Sequence, residues 1–167
     1  MIQIYTGNGK GKTTAALGLA LRAAGAGLNV YIAQFAKGRY YSELRILKKI
    51  KNIKVEQFGR RCFIKKRPEK IDAELASKGL ESAKKAILSK KYRLVILDEI
   101  NIALNLRLIP LKEVLEILKS APKEKEIVLT GRYAPLQIIK IADLVSRIDE
   151  VRHYYKKGVK ARRGIEF

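Results

Sequence analysis

Sulfur and imidazole are scarce in this sequence, and each shortage excludes a class of chemistry. Cys62 is the single cysteine, which rules out an intramolecular disulfide and a cysteine-rich zinc site. His153 is the single histidine and has no partner motif, so a histidine-based metal centre is not expected and the residue reads as structural. No apolar run approaches the ~20 residues that a membrane span requires. Met1-Ile2-Gln3-Ile4 is not the start of a secretory signal. The expected location is the cytoplasm, with no membrane partner. Acidic residues are few as well: 16 Asp and Glu stand against 36 Lys and Arg, a net charge of +20. Such a field attracts polyanions. The basic residues are nevertheless spread along the chain, and the densest pieces, such as Lys65-Lys66-Arg67 and Arg162-Arg163, are short. That distribution suits a solvated, lysine-rich surface of the heat-adapted kind better than a nucleic-acid footprint.

What is present describes a folded α/β chain. An apolar fraction of 47% over 167 residues is enough for one domain, residues 1–167, with a substantial core. Short β-rich runs alternate with longer helical ones, the pattern of a mostly parallel sheet with helices on both faces. "IQIYT", "NVYIAQF", "IKVEQF", "RLVILDE", "EIVLTG" and "LVSRIDEV" read as six strands. Helices are expected over "KTTAALGLALRAA", over "SELRILKKI" with Ser42 as cap, from about Pro68 to Ser89, over "LKEVLEILKS" and over "APLQIIKIA". The tail "RHYYKKGVKARRGIEF" is basic and partly aromatic.

The stretch "TGNGKGKTT" follows the first strand directly and opens the first helix. A phosphate cradle needs that arrangement: a strand aimed at the loop, glycines that expose backbone N–H groups, and a helix N-terminus immediately beyond. Thr6 stands where the common phosphate-loop pattern has its first glycine, and Gly7, one position on, relieves the turn instead. Gly7, Asn8, Gly9, Lys10, Gly11, Lys12, Thr13 and Thr14 are therefore the candidate phosphate ligands. Lys12 places an ammonium on the phosphates and Lys10 adds a second positive charge. Thr13 offers a hydroxyl to Mg²⁺ (or Mn²⁺).

A second constellation agrees with the first. "LVILDE" is an apolar strand delivering Asp98 and Glu99, which suits a carboxylate pair beside the metal. Glu99 either activates water or sits on the metal, and the sequence leaves that choice open. Ligands of open α/β sheets bind beyond the carboxyl ends of the strands. That rule nominates residues 34–37, the loop from Gly59, and Thr130-Gly131-Arg132, with Arg132 a phosphate partner or an ordinary surface arginine. Cys62 and Phe63 lie in the loop from Gly59 and read equally as an apolar plug.

Together, "TGNGKGKTTAALGLALRAAG", "QFAKG" at 34–38, "VILDE" at 95–99, "LTGR" at 129–132 and "GVKARRGIEF" resemble the P-loop type of ATP:corrinoid (cob(I)alamin) adenosyltransferase. The likeness runs in order over essentially the whole chain. It implies a RecA-like six-stranded sheet, a homodimer, and transfer of the 5′-deoxyadenosyl group of ATP to the Co(I) of a reduced corrinoid. Triphosphate is released, in adenosylcobalamin biosynthesis or salvage, and a flavoprotein-type reductant supplies Co(I). By this resemblance residues 7–13 bind the phosphates, Thr13 and Glu99 hold Mg²⁺, and Asp98 orients them. Phe63 matches a family aromatic that covers the lower face of the corrin. The family's second aromatic, a tryptophan, has no counterpart: the chain has no Trp, and Lys65 falls near that place. Many members also carry an N-terminal extension over the corrinoid. This sequence begins at strand one, so a more open corrinoid site or a preference for incomplete corrinoids is expected.

Two other classes share these motifs. A RecA-like ATPase or nucleic-acid-binding module would use the charge and hydrolyse ATP when stimulated by DNA or RNA, although no aromatic stacking platform is evident and nucleic acid is not the expected partner. A small-molecule kinase would need a mobile arginine-rich lid, for which "GRRCFIKKR" is a weak match.

Overall fold

The computed structural model describes residues 1–61 and 67–167. Alternation of apolar residues sets the architecture. In β2 (Val30–Phe35), Val30 and Ile32 pack into one side of the sheet, while Tyr31, Ala33 and Phe35 pack into the other. β4 (Leu94–Asp98) repeats the division, with Leu94 and Ile96 on the first side and Val95 and Leu97 on the second. Strands buried on both faces require helices on both faces. With β1 (Ile2–Thr6), β3 (Ile53–Phe58), β5 (Glu126–Thr130) and β6 (Leu144–Arg147) they form a six-stranded sheet in the order β3-β2-β4-β5-β1-β6. Every pairing is parallel, a P-loop-like α/β arrangement.

Helix α1 (Lys12–Gly25) covers the first side through Ala16, Ala20 and Ala23, whose small side chains let the helix lie close on Val30, Ile32, Ile96 and Val128. The second side is covered by α3 (Lys70–Leu88), through Ala76, Leu80, Ala83 and Ile87, and by α5 (Leu111–Lys119), through Val114, Ile117 and Leu118. Each large aliphatic side chain so withdrawn from water contributes about 1.5–3 kcal/mol. Because the strands are parallel, their carboxyl ends share one rim. Residues 7–11, 36–39, 59–61, 99 and 131–132 all leave the sheet there.

Some local expectations shift. α2 is only Leu44–Leu47, and Ser42 does not cap it: the Ser42 hydroxyl donates instead to the Phe167 carbonyl at 3.0 Å. α3 starts at Lys70 rather than Pro68. The Asp72 carboxylate accepts the Glu69 N–H at 2.9 Å, and it also takes two bonds from the Arg60 guanidinium at 2.7 and 2.8 Å. That fork fixes the helix start and ties the exit of β3 to it. A short helix, α4 (Ile100–Asn105), follows Glu99 where no element was assigned from sequence, and α6 contracts to Leu136–Ile139. His153 is structural, its Nδ1 accepting the Tyr155 N–H at 3.1 Å to start the 3₁₀ turn Tyr154–Lys157.

Candidate active site

The loop between β1 and α1 is shaped by a neighbour that sequence reasoning did not supply. Gly7 has φ 99°, and a Cβ there would lie 2.4 Å from the Ile148 carbonyl oxygen. A Cβ on Gly9 would lie 2.7 Å from the Asp149 oxygen, and the Gly9 N–H donates to the Ile148 carbonyl at 2.8 Å. These two glycines are therefore demanded by the chain leaving β6, and one amide of the cradle is already spent on it. The first backbone bond of α1 runs from the Ala15 N–H to the Gly11 oxygen at 2.8 Å, and no side chain caps the helix. Amides of the first turn thus face the cleft as an anion site. Lys12 is 7% exposed and folds back to donate to the Gly9 carbonyl at 2.6 Å. Burial pulls its pKa below the ordinary lysine value, against the opposing pull of Glu99.

Asp98 is the hub beside that loop. Its carboxylate is fully buried and accepts from the hydroxyls of Thr13 (2.9 Å) and Thr130 (2.7 Å), from the Gln34 amide (3.2 Å) and from the Lys37 ammonium (2.7 Å). Burial pushes the carboxyl up, but the Lys37 charge and these bonds more than offset it, and the pKa falls below the usual aspartate value. Glu99 behaves oppositely. It takes a left-handed φ of 61° at the strand end, its N–H held by the Thr130 hydroxyl at 2.9 Å. Burial raises its pKa, and the attraction of Lys37 offsets only part of this. Two adjacent acids are thus given opposite tendencies by their surroundings, Asp98 to stay ionised and Glu99 to take up a proton.

Lys37 follows a left-handed residue, Ala36, at φ 51°. That turn brings its ammonium over the rim to Asp98 and, at 3.1 Å, to the Thr13 hydroxyl. Gly131 lies against Glu99, and Asn101 donates to the Gly131 carbonyl at 3.2 Å. Arg132 is exposed beyond it, close enough to bear on the charges of Lys12 and Glu99.

The family described as ATP:corrinoid adenosyltransferase BtuR/CobO/CobP matches residues 1–167 of the sequence arranged in this way. The chain belongs to this family of ATP:corrinoid adenosyltransferases. The corrinoid adenosyltransferase of Escherichia coli (strain K12) is 32% identical over 167 residues, covering 100% of this chain and 85% of that protein. The one from Sinorhizobium sp is 36% identical over 171 residues, covering 100% and 80%. CobA of Salmonella typhimurium (strain LT2) is 32% identical over 167 residues, covering 100% and 85%. As a corrinoid adenosyltransferase the chain is a transferase of the cobalamin pathway, in a family whose substrates are ATP and a corrinoid.

In this adenosyltransferase the candidate residues come together unevenly. Lys10, Lys12, Thr13, Thr14 and Glu99 line one cleft of about 660 Å³ with Lys37 on its wall, and the fully buried Asp98 lies behind Thr13, accepting its hydroxyl. Asn8 and Thr14 are exposed on the loop and first turn. Phe63, with Cys62 and Lys65, lies outside the described residues. The Lys10 ammonium is paired within that cleft, 2.9 Å from the Tyr154 hydroxyl and 2.9 Å from the Glu166 carboxylate. Glu166 is also bonded to the Tyr154 hydroxyl and to Arg162. Through Glu166 the final residues, 164–167, become a wall of the cleft, and Glu166 and Phe167 also line a second cleft of about 770 Å³ with Tyr41, Arg39 and Arg61. Sequence reasoning saw the tail only as a basic stretch and a motif of the resemblance. The sole local signal was an acid, Glu166, isolated among basic residues. Among the described residues no helix is long and apolar enough to cross a membrane.

Proposed function

We propose that the phosphate loop holds the triphosphate of ATP as a leaving group while the ribose faces a corrinoid in the adjoining cleft. Co(I) attacks the ribose 5′ carbon. The cobalt–carbon bond forms with the metal's electron pair, the C5′–O bond breaks, and its pair departs with triphosphate. A nucleophile of that strength needs no general base from the protein, so alignment and charge neutralisation are the protein's share. Alignment alone is worth up to about 7–11 kcal/mol. Lys12 and the uncapped N-terminus of α1 take up charge on the departing oxygens, with Lys10 and Arg132 at the rim. The observation that carries this reading is the adjacency of the two clefts, which share Tyr41, Glu166 and Phe167 as a common wall.

The donor set beside the loop is all oxygen: the Thr13 hydroxyl and the carboxylates of Asp98 and Glu99. Such hard donors fit Mg²⁺ or Mn²⁺. Thr13 and Glu99 would hold the ion and Asp98 would orient Thr13 through the bond it accepts. Bound there, the ion supplies positive charge to the phosphates. Phe63 is assigned to the lower face of the corrin. The rest of the reading is a domain spanning residues 1–167 that works as a cytoplasmic homodimer, with a flavoprotein-type reductant giving the corrinoid the one electron that takes Co(II) to Co(I).

Incubation with ATP, Mg²⁺ and chemically reduced cobalamin tests the proposal. The expected result is loss of the Co(I) absorption, a photolabile product and one triphosphate per corrinoid consumed. Orthophosphate released without corrinoid would overturn it in favour of an ATPase.

A further inference from the structure

Lys37 has no assigned part in the reaction, yet it touches both sides of the proposed metal position. Its ammonium is 2.7 Å from Asp98 Oδ2 and 3.1 Å from Thr13 Oγ1, and it lies 5.5 Å from the centre of the Tyr41 ring. The Thr13 hydroxyl gives its proton to Asp98 Oδ1 at 2.9 Å. Of the two lone pairs that the Thr13 hydroxyl could offer a metal, one is already taken by Lys37. The Lys37 side chain is 14% exposed and that of Asp98 is 1% exposed, so water screens the pair little. Glu99 attracts the same ammonium across the cleft.

We propose that Lys37 is a resident counter-ion that holds the cation position against Asp98 and Thr13 until metal–ATP arrives. Resting on the reading of Thr13 and Glu99 as metal ligands, it adds an order of events: the metal enters with the nucleotide and not ahead of it. A divalent ion brought next to a buried ammonium is repelled. It can settle only when the ammonium gains another anionic partner, and the phosphates of ATP provide one. Lys37 shares the cleft wall with residues 9–14, so its four-carbon stem can swing from Asp98 to a phosphate without leaving the site. The move exchanges one neutralising pair for two, Lys37 with phosphate and metal with Thr13 and Glu99. Free metal would then not rigidify the loop in an unproductive form.

Mn²⁺ binding followed by electron paramagnetic resonance tests this without any turnover. Wild-type protein without nucleotide should bind Mn²⁺ at least tenfold more weakly than Lys37→Met, in which Asp98 is left without its counter-ion. Lys37→Arg, which keeps the charge, should match wild type. Equal Mn²⁺ affinity of wild type and Lys37→Met, within twofold, overturns the proposal, as does Lys37→Arg behaving like Lys37→Met. Should Lys37→Met fail to fold, ¹⁵N-lysine spectra of the wild type decide. The Lys37 ammonium resonance should be unmoved by Mg²⁺ alone and should shift on adding Mg²⁺ with ATP. A resonance unchanged in the saturated Mg–ATP complex refutes the exchange. Failure of adenosyl transfer by the wild type would count against the proposed function and leave these binding results standing.

Discussion

The Thr130 hydroxyl donates to Asp98 at 2.7 Å and accepts the Glu99 N–H at 2.9 Å, so one side chain of β5 fixes both acids at the end of β4. Thr130→Val would leave a buried carboxylate oxygen and a backbone donor without that partner. We expect a loss of about 1–3 kcal/mol in urea-monitored stability. The Mg²⁺ concentration needed for half-maximal adenosyl transfer should rise several-fold, because the left-handed turn at Glu99 loses its anchor. Unchanged values for both would show that Thr130 does not position the acids.

Lys12→Ala should reduce adenosyl transfer by about 10²–10³-fold, the range seen when a preorganised charge-stabilising donor is removed. The loss should appear in turnover with cob(I)alamin generated chemically, which removes any dependence on a reductant. Near-normal turnover would mean that the loop does not hold the leaving group.

Gly7 and Gly11 both have φ far into the positive region, 99° and 121°, but only Gly7 is crowded. Gly7→Ala would press a Cβ into the Ile148 backbone, whereas nothing lies within 4 Å of a Cβ at Gly11. Both variants carry backbone strain of about 1–2 kcal/mol, and Gly7→Ala should lose a further 1–3 kcal/mol or so from overpacking. Thermal melts of the pair make the comparison. Equal stability would place the Ile148 contact elsewhere in solution.

Glu166 is held well below the usual glutamate pKa, first by its bond with Tyr154 and then by Arg162 and Lys10. A depressed folded-state pKa means that the stabilising contribution is complete above the ordinary glutamate value and disappears as pH falls through the folded one. The tail should stay docked at neutral and mildly acidic pH and release only in stronger acid. Glu166→Gln should release it already at pH 7. The methyl resonances of Ile165 report this directly, and a tail that detaches near the ordinary glutamate pKa would contradict the assigned ion cluster.

Much of this protein is legible along the chain because the determining interactions are local or periodic. The alternation in "VYIAQF" and "LVILD" marks strands covered on both faces, and a glycine-rich turn between a strand and a helix specifies an anion site through its backbone amides. Asp98 and Glu99 were recognisable as acids at a strand end, and the segments carrying Lys37 and Thr130 followed from the rule that sites form where parallel strands end. What side chains do there depended on the fold. Gly7 and Gly9 are needed for a contact with Ile148 and Asp149, about 140 residues away along the chain. Lys10 is expected at the phosphates from its place in the loop, but that it also pairs with Glu166, 156 residues away along the chain, is visible only in the fold. The opposite pKa tendencies of neighbouring Asp98 and Glu99 arise because Lys37, Thr130 and Thr13, brought in from three other segments, all hydrogen-bond to the Asp98 carboxylate, whereas burial dominates at Glu99. Sequence by itself determined the layers, the loop and the class of ligand, since periodicity and backbone chemistry act over a few residues. Only the tertiary structure decided which charges meet, because charge pairing is set by distance in space and the parallel sheet gathers remote strand ends onto one rim.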